Sequence, residues 1–286
     1  MAKIPDYHCG YDSGAGLGVR TAQNPALRFP EVYLQREMMA ELAQDLCHQD
    51  DADYCLLPFC HTLEAEALGA KIFLGDGLTT PRARQPRCGS LPEILELTMD
   101  FSSPRLRETL EACRLLKARG ERVLFQISGP LTVLNSLLPS DLLFRAFRKE
   151  PELLLQVFRK IGADVLQLAI LAEEAGADMI SYADPMGGVN IVGPKCAEMI
   201  AVNFTAEFLR SLDEALRQET MVLLCPKTAY ALLGTELARW LDHKLPEKIS
   251  YGRAVLACRG EFRFSGQSCV KKTSYKTETI KELVMQ

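Results

Sequence analysis

Stretches with apolar residues three and four positions apart alternate along this chain with short apolar runs that stop at proline or glycine. The spaced stretches predict helices over 31–48, 91–97, 105–119, 141–148, 151–175, 194–217, 235–242 and 277–285. Val32, Leu34, Met38, Met39, Leu42 and Leu46 form the apolar face of the first, and Pro151 suits the first turn of the longest. The short runs predict strands over 54–57, 122–127, 178–182, 220–224 and 261–265. Segment 248–251 leads into 253–258, which fits either helix or strand. No linker, repeat or low-complexity segment interrupts the alternation, so residues 31–286 read as one α/β domain on a parallel sheet or barrel. Residues 1–30 read as a loop-like extension, in which Gly14, Gly16 and Gly18 lack the preceding strand a phosphate loop needs.

The chain is organised around residues 173–188. Glu173 and Glu174 end the longest predicted helix, and Gly176 stands where a helix C-terminus wants a residue tolerant of positive φ. A buried strand then delivers Asp184 to a turn made by Pro185, Gly187 and Gly188. Ligands of parallel β/α folds bind at that end of the strands. Asp184 therefore either serves chemistry there or caps a helix and satisfies turn amides.

Composition narrows the function classes. A net charge of −4 gives no electrostatic case for nucleic acid or an anionic membrane. No apolar run reaches the roughly 20 residues of a membrane span, and the first residues carry no apolar signal segment. The expectation is a cytoplasmic protein with 48% hydrophobic residues, ample for a large core. Ten cysteines at irregular spacing read as thiols rather than a disulfide framework. Cys9, Cys47, Cys55, Cys60, Cys88, Cys113 and Cys196 have no ligand-type spacing.

Cys225 and Cys269 differ from the other thiols because each follows a strand and precedes a turn, as Asp184 does. On a barrel the three would converge on one rim, where two thiolates and one or two N or O ligands make a zinc site. The alternative is a pair of buried strand-end thiols. His61, Glu64 and Glu66 follow the first strand, and two residues of separation keep the two glutamates off one helix face. Arg82, Arg84 and Arg87 form either an anion clamp or a solvated loop.

These residues carry a resemblance. Ala175-Gly176-Ala177-Asp178 followed by Ala183-Asp184-Pro185, the stretch Glu64-Ala65-Glu66-Ala67-Leu68-Gly69, and the turn Gly129-Pro130 are similar to the uroporphyrinogen decarboxylase superfamily. The resemblance covers most of 30–272 and is nearest to the cobalamin-dependent, methyl-corrinoid:thiol methyltransferase branch. It implies a single (β/α)8 TIM-like barrel that moves methyl from a methyl-Co(III) corrinoid, held by a corrinoid-carrying partner protein, to a small-molecule acceptor such as coenzyme M or homocysteine. It implies catalytic roles for Asp184 and Cys225, substrate contacts from His61, Glu64, Glu66, Asp184 and Met186, and zinc on Cys225 and Cys269. The branch places a histidine two residues before the first cysteine, and here Leu223 stands there. His61, Glu64, Asp184 and Cys258 are the candidates to replace it. Three other readings stay open: zinc-free transfer to tetrahydrofolate, decarboxylation, and a non-catalytic corrinoid- or tetrapyrrole-binding barrel. Decarboxylases grip their substrate with an arginine-rich N-terminal motif, and only Arg36 stands in the comparable region.

Overall fold

The computed structural model describes residues 3–8, 17, 21, 23–24, 27–272 and 274–286. Cys9, Gly14, Gly16 and Gly18 lie outside the described residues. In chain order the elements are a 3-10 turn Glu31–Tyr33, helix α1 (Arg36–Gln49), β1 (Cys55–Leu57), α2 (Leu63–Ala67), β2 (Ile72–Phe73), β3 (Arg82–Ala83), α3 (Leu91–Leu95), α4 (Pro104–Ala118), β4 (Val123–Ser128), α5 (Pro130–Leu137), α6 (Ser140–Lys149), α7 (Pro151–Glu174) and β5 (Met179–Ala183). They continue with α8 (Val189–Ile200), α9 (Ala206–Ala215), β6 (Met221–Leu224), α10 (Pro226–Gly234), β7 (Ala238–Ser250), α11 (Tyr251–Ala257), β8 (Phe264–Ser265) and β9 (Lys276–Met285).

The main sheet runs β1-β4-β5-β6-β8-β9-β7. Its first five strands pair in parallel, β9 pairs antiparallel with β8, and β7 pairs antiparallel with β9. An α/β architecture on a parallel sheet is the one the alternation predicts. Strands β4, β5 and β6 are buried along their whole length, because both sheet faces are covered. On one face Val123, Phe125, Ile127, Ile180, Val222 and Leu224 pack against the large helices. On the other, Leu124, Met179, Met221 and Leu223 pack under Tyr251, Ala254 and Val255 of α11.

Helix α7 stops as its sequence predicts. Gly176 takes φ 99°, and its N–H reaches Glu173 O at 2.9 Å. The predicted helix over 194–217 is divided: α8 kinks at Gly193 (φ 76°) and passes through a π-turn over Ala201–Thr205 into α9.

Two predicted helices are corrected. Residues 235–242 and 277–285 contribute to strands β7 and β9, paired through Trp240↔Leu283 and His243↔Ile280. Ile280 and Leu283 are three apart and read as one helix face. In the strand they point to opposite faces, and each is buried in a different apolar cluster. The undecided 253–258 is helical up to Ala257. Among the described residues no helix is long and apolar enough to cross a membrane.

Candidate functional site at the carboxyl ends of the strands

Pleating puts alternate residues of the parallel strands on the α11 face. Register carries Leu124 to Met179 to Met221, and one step toward the carboxyl ends it carries Gln126 to Ser181 to Leu223 to Ser265. The first row is apolar. The second is polar except for Leu223. Ser265 Oγ donates to Lys281 O at 2.8 Å and lies 3.4 Å from Tyr251 Oη. Ser181 Oγ is buried with no hydrogen-bond partner, a cost of about 1–3 kcal/mol unless a ligand meets it.

His61 leans over this row from the segment after β1. Its Nδ1 lies 3.3 Å from Ser128 Oγ and 3.4 Å from Gln126 Nε2. Burial, reinforced by the charge of Lys271, lowers the imidazole pKa to about 4, so the ring is neutral at physiological pH. Glu64, on the first turn of α2, is fully buried and accepts the Ser128 N–H through Oε1 at 2.6 Å. Its Oε2 has no partner, and burial pushes its pKa up. Glu66 turns the other way and pairs with the buried Arg105, whose guanidinium also donates to Thr62 Oγ1 at 3.0 Å and Cys60 Sγ at 3.4 Å. The two glutamates thus serve different partners, as their spacing requires.

Asp184 lies after β5 as expected, and its carboxylate turns to the N-terminus of α5. It accepts from Thr132 N at 2.8 Å, Thr132 Oγ1 at 2.6 Å and Leu131 N at 3.2 Å. The helix it caps belongs to the preceding β/α unit, not to the segment that follows Asp184. Burial raises its pKa to about 6 against the pull of those three bonds. A Cβ on Gly129 would stand 2.6 Å from Asp184 Oδ2, so the close approach requires glycine there. Met186 is half-buried, and its N–H donates to Thr132 Oγ1 at 3.3 Å. The turn from Ser128 to Thr132 is therefore held from both sides, by Glu64 and by Asp184.

Cys225 starts α10, its N–H bonded to Tyr182 O at 2.9 Å, and its side chain is partly exposed. Cys269 is also partly exposed, in the segment after β8. Leu223 is 1% exposed and packed under α11, so its position offers no ligand. Among the described residues no three His, Cys, Asp or Glu side chains converge on a point. The described donors therefore do not make up a zinc set, and Cys258 is a buried thiol at the end of α11. Arg36 is bound by Glu108 at 2.6 Å and Arg82 stacks over Phe73 at 4.9 Å, so neither is an arginine clamp at this site.

Gln126, Ser128, Thr132 and Ser181 were not singled out from sequence. For Gln126, Ser128 and Ser181 the signal is a polar residue at alternate positions of an otherwise apolar strand, as in Leu124-Phe125-Gln126-Ile127-Ser128.

Comparison with known proteins finds relatives of this chain. Methylcobamide:CoM methyltransferase MtaA of Methanosarcina barkeri strain Fusaro is 23% identical over 208 residues, 70% of this chain and 59% of that protein. A second M. barkeri protein of the same name matches with the same identity and coverage. The chain thus spans 59% of the length of the curated relatives it matches. A solved methyltransferase from Methanosarcina mazei superposes with a TM-score of 0.65 at 21% identity, over 77% of this chain and 67% of that one, so the two share their fold. The family model for uroporphyrinogen decarboxylase (URO-D) matches residues 13–238, which cover β1 through α10, and the chain belongs to that family.

Proposed function

We propose that this chain is a corrinoid-dependent methyltransferase, taking methyl from a methyl-Co(III) corrinoid on a partner protein and delivering it to a small-molecule thiol. The observation that carries the reading is the polar row at the carboxyl ends of the strands. His61, Gln126, Ser128 and Ser181 are neutral hydrogen-bonding groups, suited to orienting an acceptor. A decarboxylase needs several cations for a substrate with many carboxylates, and Arg36, the one arginine of the comparable region, is bound by Glu108. The relatives named for methylcobamide:CoM transfer support the same branch.

In this reading the acceptor's sulfur pair attacks the methyl carbon in line, forming S–C. The Co–C bond breaks with its electrons left on cobalt, which passes from Co(III) to Co(I). The chain orients the acceptor on that axis. Asp184 and Glu64 hold the Ser128–Thr132 turn, which supports Met186 and His61. Cys225 lies at the same end of the strands as a second thiol. The test is spectroscopic: methylcobalamin and the protein are mixed with coenzyme M, homocysteine or tetrahydrofolate. Loss of the methylcobalamin spectrum with a thiol, with thioether formed, is the expected result. Transfer to tetrahydrofolate alone would select the folate alternative, and no transfer to any acceptor would sink the reading.

A further inference from the structure

In the methyltransferase branch the sequence resembles, zinc activates the acceptor thiol. Here Leu223 occupies the histidine position in the core, and the described donors do not assemble a zinc set. Resting on the transfer reading above, we infer that the acceptor thiolate is held by a hydrogen bond from His61 Nε2–H instead of by a metal, with Gln126 and Ser128 as positioning residues.

The tautomer follows from the neighbours. Gln126 Nε2, at 3.4 Å from His61 Nδ1, is an amide nitrogen that can only donate. Nδ1 is therefore the acceptor, Ser128 Oγ at 3.3 Å donates to it as well, and the ring proton sits on Nε2. Ser128 is itself held at its backbone N–H by Glu64. Gln126 and Ser128 are buried whereas His61 is partly exposed. One edge of the ring is thus pinned and its Nε2 edge is left for a ligand. A neutral imidazole donates to a thiolate without surrendering its proton, and a donor to an anion makes the stronger class of hydrogen bond. The thiol proton leaves to solvent before attack. The sulfur pair then forms S–C, the Co–C pair stays on cobalt, and His61 keeps its proton throughout.

The experiment uses the full chain, methylcobalamin and 2-mercaptoethanol, with metal analysis and 15N NMR of the histidines. The expected result is a zinc-free protein whose transfer rate ignores chelator and whose His61 is protonated on Nε2. His61→Ala should lower kcat on the order of a hundredfold, the scale of losing one donor to a developing or bound anion. His61→Gln, which keeps an amide donor, should recover part of that loss. Gln126→Leu should move part of the proton to Nδ1, a readout that a merely structural role would not change. Stoichiometric zinc whose removal stops transfer, a His61→Ala variant at the wild-type rate, or a wild-type ring protonated on Nδ1 would each overturn the inference. A wild type with the expected tautomer that methylates no thiol refutes the transfer reading itself, and NMR separates that outcome from a failure of His61.

Discussion

Two buried aspartates stand at opposite ends of β5, and the protein treats them differently. Asp178 precedes the strand. It accepts from Val123 N at 3.0 Å and pairs through Oδ1 with Lys117 at 2.8 Å and with Arg122 and Arg259 at 3.0 Å each. Burial alone would raise its pKa, yet Lys117, the Val123 amide and the two arginines bring it below the ordinary value. Asp184 follows the strand and has three donors, all neutral. There burial prevails, and its pKa rises to about 6. Formal charge among the neighbours, not the number of hydrogen bonds, decides which carboxylate stays ionised. In parallel β/α folds the amino ends of strands serve stability and the carboxyl ends serve ligands.

The largest expected effect breaks the Asp178 cluster. Asp178→Ala leaves three cations without their shared partner and should cost about 3 kcal/mol in urea unfolding. A loss well under 1 kcal/mol would show that solvent already screens the cluster.

The next sharpens the contrast with pH. Asp184 has a folded pKa of about 6, above the ordinary value near 3.9. Its stabilisation is complete below the ordinary value and is lost as pH rises through the folded one. Asp178 is depressed, so its stabilisation is present above the ordinary value and is lost as pH falls through its lower folded one. Between about pH 4 and 7, wild type should therefore lose roughly 2 kcal/mol relative to Asp184→Asn. Urea titrations of both proteins at the two pH values measure this, and parallel curves would contradict it.

Gly129→Ala presses a methyl into Asp184 and should cost on the order of 1–2 kcal/mol. In an Asp184→Gly background, which removes the Cβ that the new methyl meets, most of that loss should vanish, and a double-mutant cycle on melting temperature reads this directly. The smallest effects belong to Cys225→Ser and Cys269→Ser. Both side chains are partly exposed. Each should cost less than about 1 kcal/mol, and the two should add if they share no ligand. Coupled losses in the double variant, accompanied by loss of bound metal, would restore the zinc pair.

Much of the site was legible locally. Asp184 was placed after a buried strand by Pro185 and the glycines beyond it, and Gly176 marked the end of α7. The direction of the Asp184 carboxylate was not legible, because its donors on Leu131 and Thr132 are more than fifty residues earlier in the chain. The Glu64–Ser128 bond spans 64 positions, and His61 meets Gln126 across 65. No periodicity reports a contact at such a separation.

The sequence by itself determined the alternation of the longer helices with buried strands through β6, the parallel sheet it implies, the helix end at Gly176 and the family. Those follow from short-range spacing, turn residues and motif order. Only the tertiary structure decided that 277–285 is a strand, because its Ile280 and Leu283 need apolar cover on two faces and both faces supply it. Tertiary structure alone also decided that Leu223 stands in a polar row beneath α11, that Asp184 caps α5, and that His61 is pinned by Gln126 and Ser128. Each of these depends on strand register and on burial, which exist only once distant segments pack together.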